Sequence, residues 1–181
     1  MAKTEKGFSM IEVLVTLLLV SVGVLGMVAM QTRTIQYTQD SVQRNVAMTL
    51  ANDLAEMMRA MPTGLPESSG FYKAADADFP DKPDECAPLP SAASAQLACW
   101  ADKVQKMLPV EAATADGDSL LKSDFHVCRT DTANTCTNTG SAVEIQIAWR
   151  TKAGECLDPD QDPSDADTDM TICRYRLRTQ I

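Results

Sequence analysis

The chain has 181 residues and a formal net charge of −9, with 25 acidic side chains against 16 basic ones. This length fits one membrane helix and one soluble domain of ordinary size. The excess of negative charge argues against a broad nucleic-acid-binding surface and leaves at most a local basic strip for such a role.

The first predicted element is an apolar run near the N-terminus. Residues 13–30 carry no formal charge, and such a run is long enough to span the hydrocarbon core of a bilayer as a helix. Lys3 and Lys6 precede the run and acidic residues dominate after it, so we expect the bulk of the chain to cross the membrane. A plain membrane anchor is the simplest interpretation, because a secretory signal has a shorter apolar core. That interpretation gives no role to Glu12, although a carboxylate is tolerated in the first turn of a helix.

A motif at the head of the run gives Glu12 a role. The string from Gly7 to Glu12, "GFSMIE", followed by an apolar helix, resembles the class III signal of type IV prepilins. In that family a prepilin peptidase cuts after the glycine and methylates the new N-terminal amine. The resemblance implies that residues 1–7 are a leader peptide and that Phe8 becomes an N-methylated first residue. It also implies that Glu12 pairs with the N-terminal ammonium of a neighbouring subunit, which makes two costly charges tolerable in an apolar medium.

The predicted helix continues well past the apolar run. From residue 31 to residue 60 there is no Pro or Gly, and apolar residues recur with helical spacing, so that one stripe would pack on a globular head. The stripe consists of Ile35, Val42, Val46, Leu50, Leu54, Met57 and Met61. Its methionines, with Met48 and Met58, are expected to fill the core. Because "MPTG" from Met61 to Gly64 stops the helix, we predict one helix over 8–60, with an apolar half at 8–30 and an amphipathic half within 31–61.

Residues 62–181 are predicted to form the head. Residues 62–90 have the composition of an irregular connection, and residues 91–108 have helical apolar spacing with Ser91 or Ser94 as a possible cap. Three later segments alternate with a period of two, at 123–130, 142–151 and 171–180, which predicts an antiparallel sheet. One face of the sheet would lie on the helix stripe and the other would be partly wet. The predicted fold class is therefore α+β and pilin-like: a long N-terminal helix packed on a small antiparallel sheet.

All six cysteines follow the apolar run, and none forms the C-x-x-C motif of zinc or redox sites. An even number in the exported part of a chain indicates disulfides in an oxidising compartment. Proximity in sequence favours the pairs Cys86 with Cys99, Cys128 with Cys136 and Cys156 with Cys173, among many other connectivities. In pilins a C-terminal disulfide commonly closes a loop beside the last strand, and the last of these pairs resembles that arrangement.

Two patterns narrow the resemblance to the minor-pilin family PilV, the type IV pilus modification proteins. Its members share a G-x-x-G pattern, here Gly23 to Gly26, and a helix terminus of the form A-x-D-L-A-E-x-M-R-A-x-P, here Ala51 to Pro62. Ala29 stands near the point where many major pilins carry a proline. The resemblance implies a subunit of a priming or tip complex, assembled with other minor and major pilins and a PilY-type tip adhesin. Its head would be periplasmic on the inner membrane before assembly, and the subunit would lie in a cell-surface pilus afterwards.

Two alternatives remain open on the sequence alone. A minor pseudopilin of a type II secretion system uses the same leader and helix. A membrane-anchored binding domain that never polymerises would also explain the apolar run. We predict no enzyme and no cofactor, because the single histidine, His126, has no evident nucleophile or metal partner and no nucleophile motif is present.

An acidic loop near the C-terminus offers a weak calcium candidate. Four of its carboxylates fall at positions 1, 3, 5 and 12 of an EF-hand-like loop. They are Asp158, Asp160, Asp162 and Asp169. Pro163 occupies the position that needs glycine, and Asp169 is shorter than the usual glutamate, so a solvated acidic loop is the favoured interpretation and no metal is expected.

Three arginines, Arg174, Arg176 and Arg178, alternate along the last predicted strand and therefore share one face. They could bind DNA phosphates, a partner's acidic surface or the protein's own aspartates. The acidity of the whole chain makes DNA the weakest of the three.

Overall fold

The structure is a computed structural model that describes residues 7, 9–61, 69–111, 119–153, 155–156 and 169–181, with the backbone only at 33 and 36. Its helices are α1, Met10–Arg59, α2, Ala93–Met107, and α3, Leu120–Ser123. Its strands are β1, His126–Thr130, β2, Ala142–Arg150, and β3, Ile172–Gln180. A long N-terminal helix and a three-stranded antiparallel sheet confirm the predicted α+β class.

The chain divides into two compact units, one ending at Gln39 and one running from Asp40 to Ile181. Helix α1 contributes to both. Of the predicted leader, residues 1–7, only Gly7 is among the described residues. The predicted boundaries after residues 30 and 61 stay predictions.

The first unit consists of the apolar part of α1. Every large apolar side chain from Met10 to Met30 is exposed. The hydroxyls of Thr16 and Ser21 donate to the carbonyls of Val13 and Leu18, at 2.9 and 2.8 Å, so these polar groups are satisfied inside the helix. Among the described residues, α1 is the one helix long and apolar enough to cross a membrane, judged by length and composition.

In the second unit, α1 supplies one stripe to the hydrophobic core. The buried members are Ala47, Leu50, Ala51, Leu54, Ala55 and Met58. The buried face of the helix differs from the predicted stripe. Val46, Met57 and Met61 are half-buried, and Ile35 and Val42 are exposed. The prediction for Met48 was also wrong, since its side chain is 42% exposed. Apolar periodicity favoured large side chains, whereas half of the buried stripe consists of alanines, whose small side chains let the helix backbone approach its neighbours closely.

The sheet has the order β1-β2-β3, and both pairs of strands are antiparallel. The core-facing residues of β2 are Val143, Ile145, Ile147 and Trp149, all buried. The expectation of a partly wet second face holds for β3 but not for β2, where Glu144 and Gln146 are buried on that face. The connection from β1 to β2 includes a tight turn. Its Gly140 has φ +91°, and an added Cβ would lie 2.8 Å from the backbone of Thr130 and Asp131.

The start of one helix and the start of one strand differ from the sequence prediction. Helix α2 begins after Ala92, which forms no side-chain cap, so neither Ser91 nor Ser94 is the N-cap. The first predicted strand segment, 123–130, is shorter in the structure because its start belongs to α3. The Ser119 side chain accepts a hydrogen bond from the Leu121 amide, and both leucines of this short helix are buried.

Lys73 joins the loop before α2 to the edge of the sheet. Its backbone N–H and C=O both pair with Val127 at 2.9 Å. Its Nζ donates to the carbonyl oxygens of Ala74, Lys122 and Phe125, at 3.1, 3.1 and 2.8 Å. Burial of the ammonium lowers the pKa of Lys73 to about 8, against the opposing attraction of Asp76 and Asp78.

Candidate assembly site

The N-terminal candidate site lies at the start of α1. Gly7 is in open space, since an added Cβ would meet no atom within 4 Å. Phe8, the predicted first residue of the processed chain, lies outside the described residues. Glu12 is exposed in the first helical turn, where the helix dipole favours a carboxylate, and its amide donates to the Ser9 carbonyl at 3.0 Å. In the part of the chain that the structure describes, no ion pair involves Glu12.

A small-residue surface follows about three to four turns later on the same helix. An added Cβ at Gly23 or Gly26 would meet nothing within 4 Å. The two glycines are three residues apart, so they lie on one face of α1. Small residues at this spacing allow another helix to approach closely.

The six cysteines form three disulfides in sequence order. Cys86–Cys99 ties the loop before α2 to that helix, and Cys128–Cys136 closes the connection between β1 and β2. Cys156–Cys173 joins the two ends of the segment that leads into β3. Each bridge closes a short stretch of chain within the second unit, so the head carries covalent restraints of its own.

Of the calcium candidates, Asp158, Asp160 and Asp162 lie outside the described residues. Asp169 precedes β3, and its Oδ1 accepts hydrogen bonds from the Thr171 hydroxyl and amide, at 2.6 and 2.8 Å. These bonds, with the positive charges of Arg150 and Arg174, lower the pKa of the Asp169 carboxyl. Asp169 therefore acts in the turn that enters the last strand.

The three arginines of β3 make contacts within the head. Arg174 donates from Nε and Nη2 to Asp124 Oδ1, at 3.1 and 2.6 Å. Arg176 Nε donates to Gln146 Oε1 at 2.6 Å, and Arg178 Nη2 donates to the Asp131 carbonyl at 2.8 Å. Of the three roles considered from sequence, the structure favours contacts with the protein's own groups over binding of DNA phosphates or of a partner's acidic surface.

His126 has a partner that sequence reasoning missed. Its Nε2 lies 3.0 Å from Glu144 Oε1, and the Glu144 side chain is 2% exposed. The other oxygen, Oε2, accepts a hydrogen bond from the Asn134 amide at 2.9 Å. Alternation places His126 and Glu144 on facing strands, but only the register, with Cys128 opposite Glu144, brings them together.

A groove of 860 Å³ lies in the second unit between the end of α1 and α2. Its apolar wall consists of Met57, Ala60, Met61, Leu89, Trp100 and Met107. Ion pairs cross or edge it, with Lys103 Nζ 2.6 Å from Asp53 Oδ2 and Lys106 Nζ 2.7 Å from Asp102 Oδ2. The separate motifs on the two helices gave no sign of this surface.

Two family models match adjoining parts of the chain. Residues 2–28 match the prokaryotic N-terminal methylation motif, and residues 29–102 match Type IV pilin Tt1218. Comparisons with curated proteins and with solved structures found no match. The matches and the fold point to the prepilin class of protein, and the matched pilin family is a structural one.

The chain therefore resembles type IV prepilins, and its α+β fold is consistent with that of type IV pilins. The methylation motif and the apolar helix anchor the prepilin in the inner membrane, and the assembled subunit lies in a pilus at the cell surface. The motif also implies processing by a prepilin peptidase and association with other pilins.

Proposed function

We propose that this chain is a minor pilin of the PilV type, which primes pilus assembly or forms part of the tip complex. The observation that carries the proposal is the joining of a methylation motif to an exposed apolar helix. Water does not tolerate an apolar surface of this extent, so lipid covers it before assembly and other helices cover it afterwards.

Processing creates the polar half of the assembly site. Prepilin peptidase cleaves after Gly7 and frees an amine at Phe8. The Glu12 carboxylate of one subunit pairs with this ammonium on its neighbour and sets the axial register of the incoming subunit. Because each charge is costly alone in apolar surroundings, the pair favours one docking position over others.

The apolar half of the site moves between two environments of similar polarity. Leaving lipid for a bundle of helices exposes little apolar surface to water, so hydrophobic free energy does not oppose extraction. Gly23 and Gly26 are open on the helix surface and allow close helix packing.

Three sequence features support a minor rather than a major subunit. Ala29 stands near the usual helix proline of major pilins, and the patterns Gly23 to Gly26 and Ala51 to Pro62 are those of the PilV family. A role at the tip would involve other minor pilins and a PilY-type adhesin, and would affect adhesion and twitching motility.

The first test is N-terminal mass spectrometry of the membrane-extracted protein. We expect a chain that starts with N-methylated Phe8 in the wild type and an uncleaved chain in Gly7→Val. An unprocessed wild-type chain would overturn the proposal. The matched control is Gly23→Val, the same substitution within α1, which leaves the cleavage position intact.

The second test distinguishes a minor pilin from a major pilin, and a pilus subunit from a pseudopilin of a secretion system. Quantitative mass spectrometry of sheared pili should find this chain at far lower copy number than the main subunit, and deletion should reduce piliation. Absence from sheared pili, together with a secretion defect on deletion, would instead indicate a pseudopilin.

A further inference from the structure

We propose that the connection between β1 and β2 is a zinc site when its disulfide is reduced, with His126, Cys128 and Cys136 as the protein ligands. A ring nitrogen of His126 and the two sulfur atoms all lie within 4.8 Å of one another. In tetrahedral zinc sites, bonds of about 2.0 to 2.3 Å hold the ligand atoms roughly 3.3 to 3.8 Å apart. The three donors therefore already occupy a volume close to that of a zinc coordination shell.

Glu144 prepares the histidine for a metal. Its Oε1 faces His126 Nε2 at 3.0 Å, so this hydrogen bond holds the ring proton on Nε2 and leaves the lone pair on Nδ1. Glu144 is itself held by the Asn134 amide at 2.9 Å and is buried. A carboxylate behind a ligating histidine fixes its orientation and raises its basicity, as in many zinc sites.

The other disulfides lack this chemistry. His126 is the single histidine of the chain. Among the described residues, Cys86 and Cys99 have no third donor at metal-binding distance, and Cys156 and Cys173 have only the carboxylate of Asp40. That carboxylate lies 3.9 Å from the guanidinium of Arg44, a cation that competes with a metal ion. Two thiolates and an imidazole suit zinc better than two thiolates and a paired carboxylate.

The chemistry balances with a named reductant. A phosphine reduces the Cys128–Cys136 disulfide to two thiols by two electrons and becomes a phosphine oxide, with water supplying the oxygen and both thiol protons. Zinc then displaces the two thiol protons and takes the His126 lone pair, and water fills the fourth position. Metal and disulfide are thus alternative ways to close one loop. Zinc would hold the loop in its folded path while the cysteines are still reduced.

The test uses the full chain in detergent micelles, reduced with a phosphine and then freed of phosphine and metal under anaerobic conditions. Cobalt(II) is the probe, because thiolate ligands give it a charge-transfer absorption band, and zinc is then titrated in competition. We expect the band in the reduced protein, its loss on adding zinc and no band in the oxidised protein.

Variants decide which residues form the site. His126→Ala should weaken zinc binding by more than about tenfold, and Glu144→Gln should weaken it by roughly 10- to 100-fold without removing a ligand. Cys86→Ser, the matched control in another disulfide, should leave the affinity within about twofold, since Cys86 is not one of the three proposed ligands. Circular dichroism of each reduced variant checks that it is folded.

Three results would overturn the proposal. The first is no cobalt band in the reduced wild-type protein, and the second is equal zinc affinities for wild type and both the His126→Ala and Glu144→Gln variants. An equal loss in Cys86→Ser would also do so, because it would place the thiolates at another disulfide.

Discussion

The two halves of helix α1 share one continuous backbone but differ in the exposure of their apolar side chains. From Met10 to Met30 all the large apolar side chains are exposed, whereas from Ala47 to Met58 one stripe is buried against the head. The first half also carries a carboxylate for which the described structure provides no ion pair, while Asp53 in the second half pairs with Lys103. Side chains in the first half therefore need other molecules to cover or pair with them, whereas those in the second half find these contacts within their own chain.

The largest expected effect tests the dependence of the first half on other subunits. Glu12→Gln should be inserted and cleaved normally, because the charge has no part in either step, but its incorporation into pili should fall more than about tenfold. The physical reason is that an ammonium left without its partner in an apolar filament core costs about 3–5 kcal/mol. Quantitative mass spectrometry of sheared pili measures the loss.

Thr16→Ala is the control for Glu12→Gln, since its hydroxyl bonds within its own helix. Normal incorporation of Glu12→Gln would sink the charge-pair mechanism, and so would an equal loss in Thr16→Ala.

The next effect compares two leucines of the same helix. Leu54→Ala should lower the free energy of unfolding of the head by about 2–5 kcal/mol, because it opens a cavity at a fully buried position. Leu18→Ala should leave that free energy unchanged within about 0.5 kcal/mol, since its side chain is 63% exposed. Denaturant titration followed by the fluorescence of Trp100 and Trp149 measures both. Equal losses in the two variants would mean that the halves are not energetically distinct.

A smaller effect depends on pH and on Lys73. Its pKa is about 8 in the folded protein and 10.5 unfolded, so the unfolded state binds more protons between these values and stability rises with pH through this range. Between pH 7 and 9.5 the gain from this group should be about 2 kcal/mol. Comparison with Lys73→Met isolates it from other titrations. If the stability difference between the two proteins stays constant with pH, the ammonium is not desolvated as the structure indicates.

The smallest effect concerns the exposed ion pair at the rim of the groove. Lys103 and Asp53 are 51% and 42% exposed at their side chains, although Nζ lies 2.6 Å from Oδ2. Such surface pairs contribute about 0–1 kcal/mol, so Lys103→Ala should change the free energy of unfolding by less than about 1 kcal/mol. A double-mutant cycle with Asp53→Ala measures the coupling. A coupling above about 2 kcal/mol would contradict this expectation, because it would exceed the contribution of a solvent-exposed ion pair.

Sequence periodicity predicted the large elements well because their apolar patterns are long. Helix α1 was expected over 8–60 and runs over Met10–Arg59, and the three strands lie within the predicted segments. The buried side of α1 was less predictable, since alanines such as Ala47 and Ala51 carry little hydrophobic signal but are fully buried. Helix α3 was missed because four residues are too few to show a period, and its stability comes from a cap and from buried leucines.

The candidate sites show the same division. Gly7 and Glu12 could be proposed from local spacing, because the methylation motif that contains them is continuous in sequence. The pair of His126 with Glu144 could not, because it exists only in one strand register of the sheet. The groove between α1 and α2 likewise requires two helices to be placed side by side.

The pairing of Lys73 with Val127 limits how this protein can polymerise. Val127 forms both of its outward backbone hydrogen bonds with Lys73, and the outward carbonyl of Arg129 accepts from the Asn138 amide. At these positions the backbone groups with which a strand from another molecule could pair are already hydrogen-bonded. These contacts therefore oppose amyloid-like stacking of heads at this part of the β1 edge.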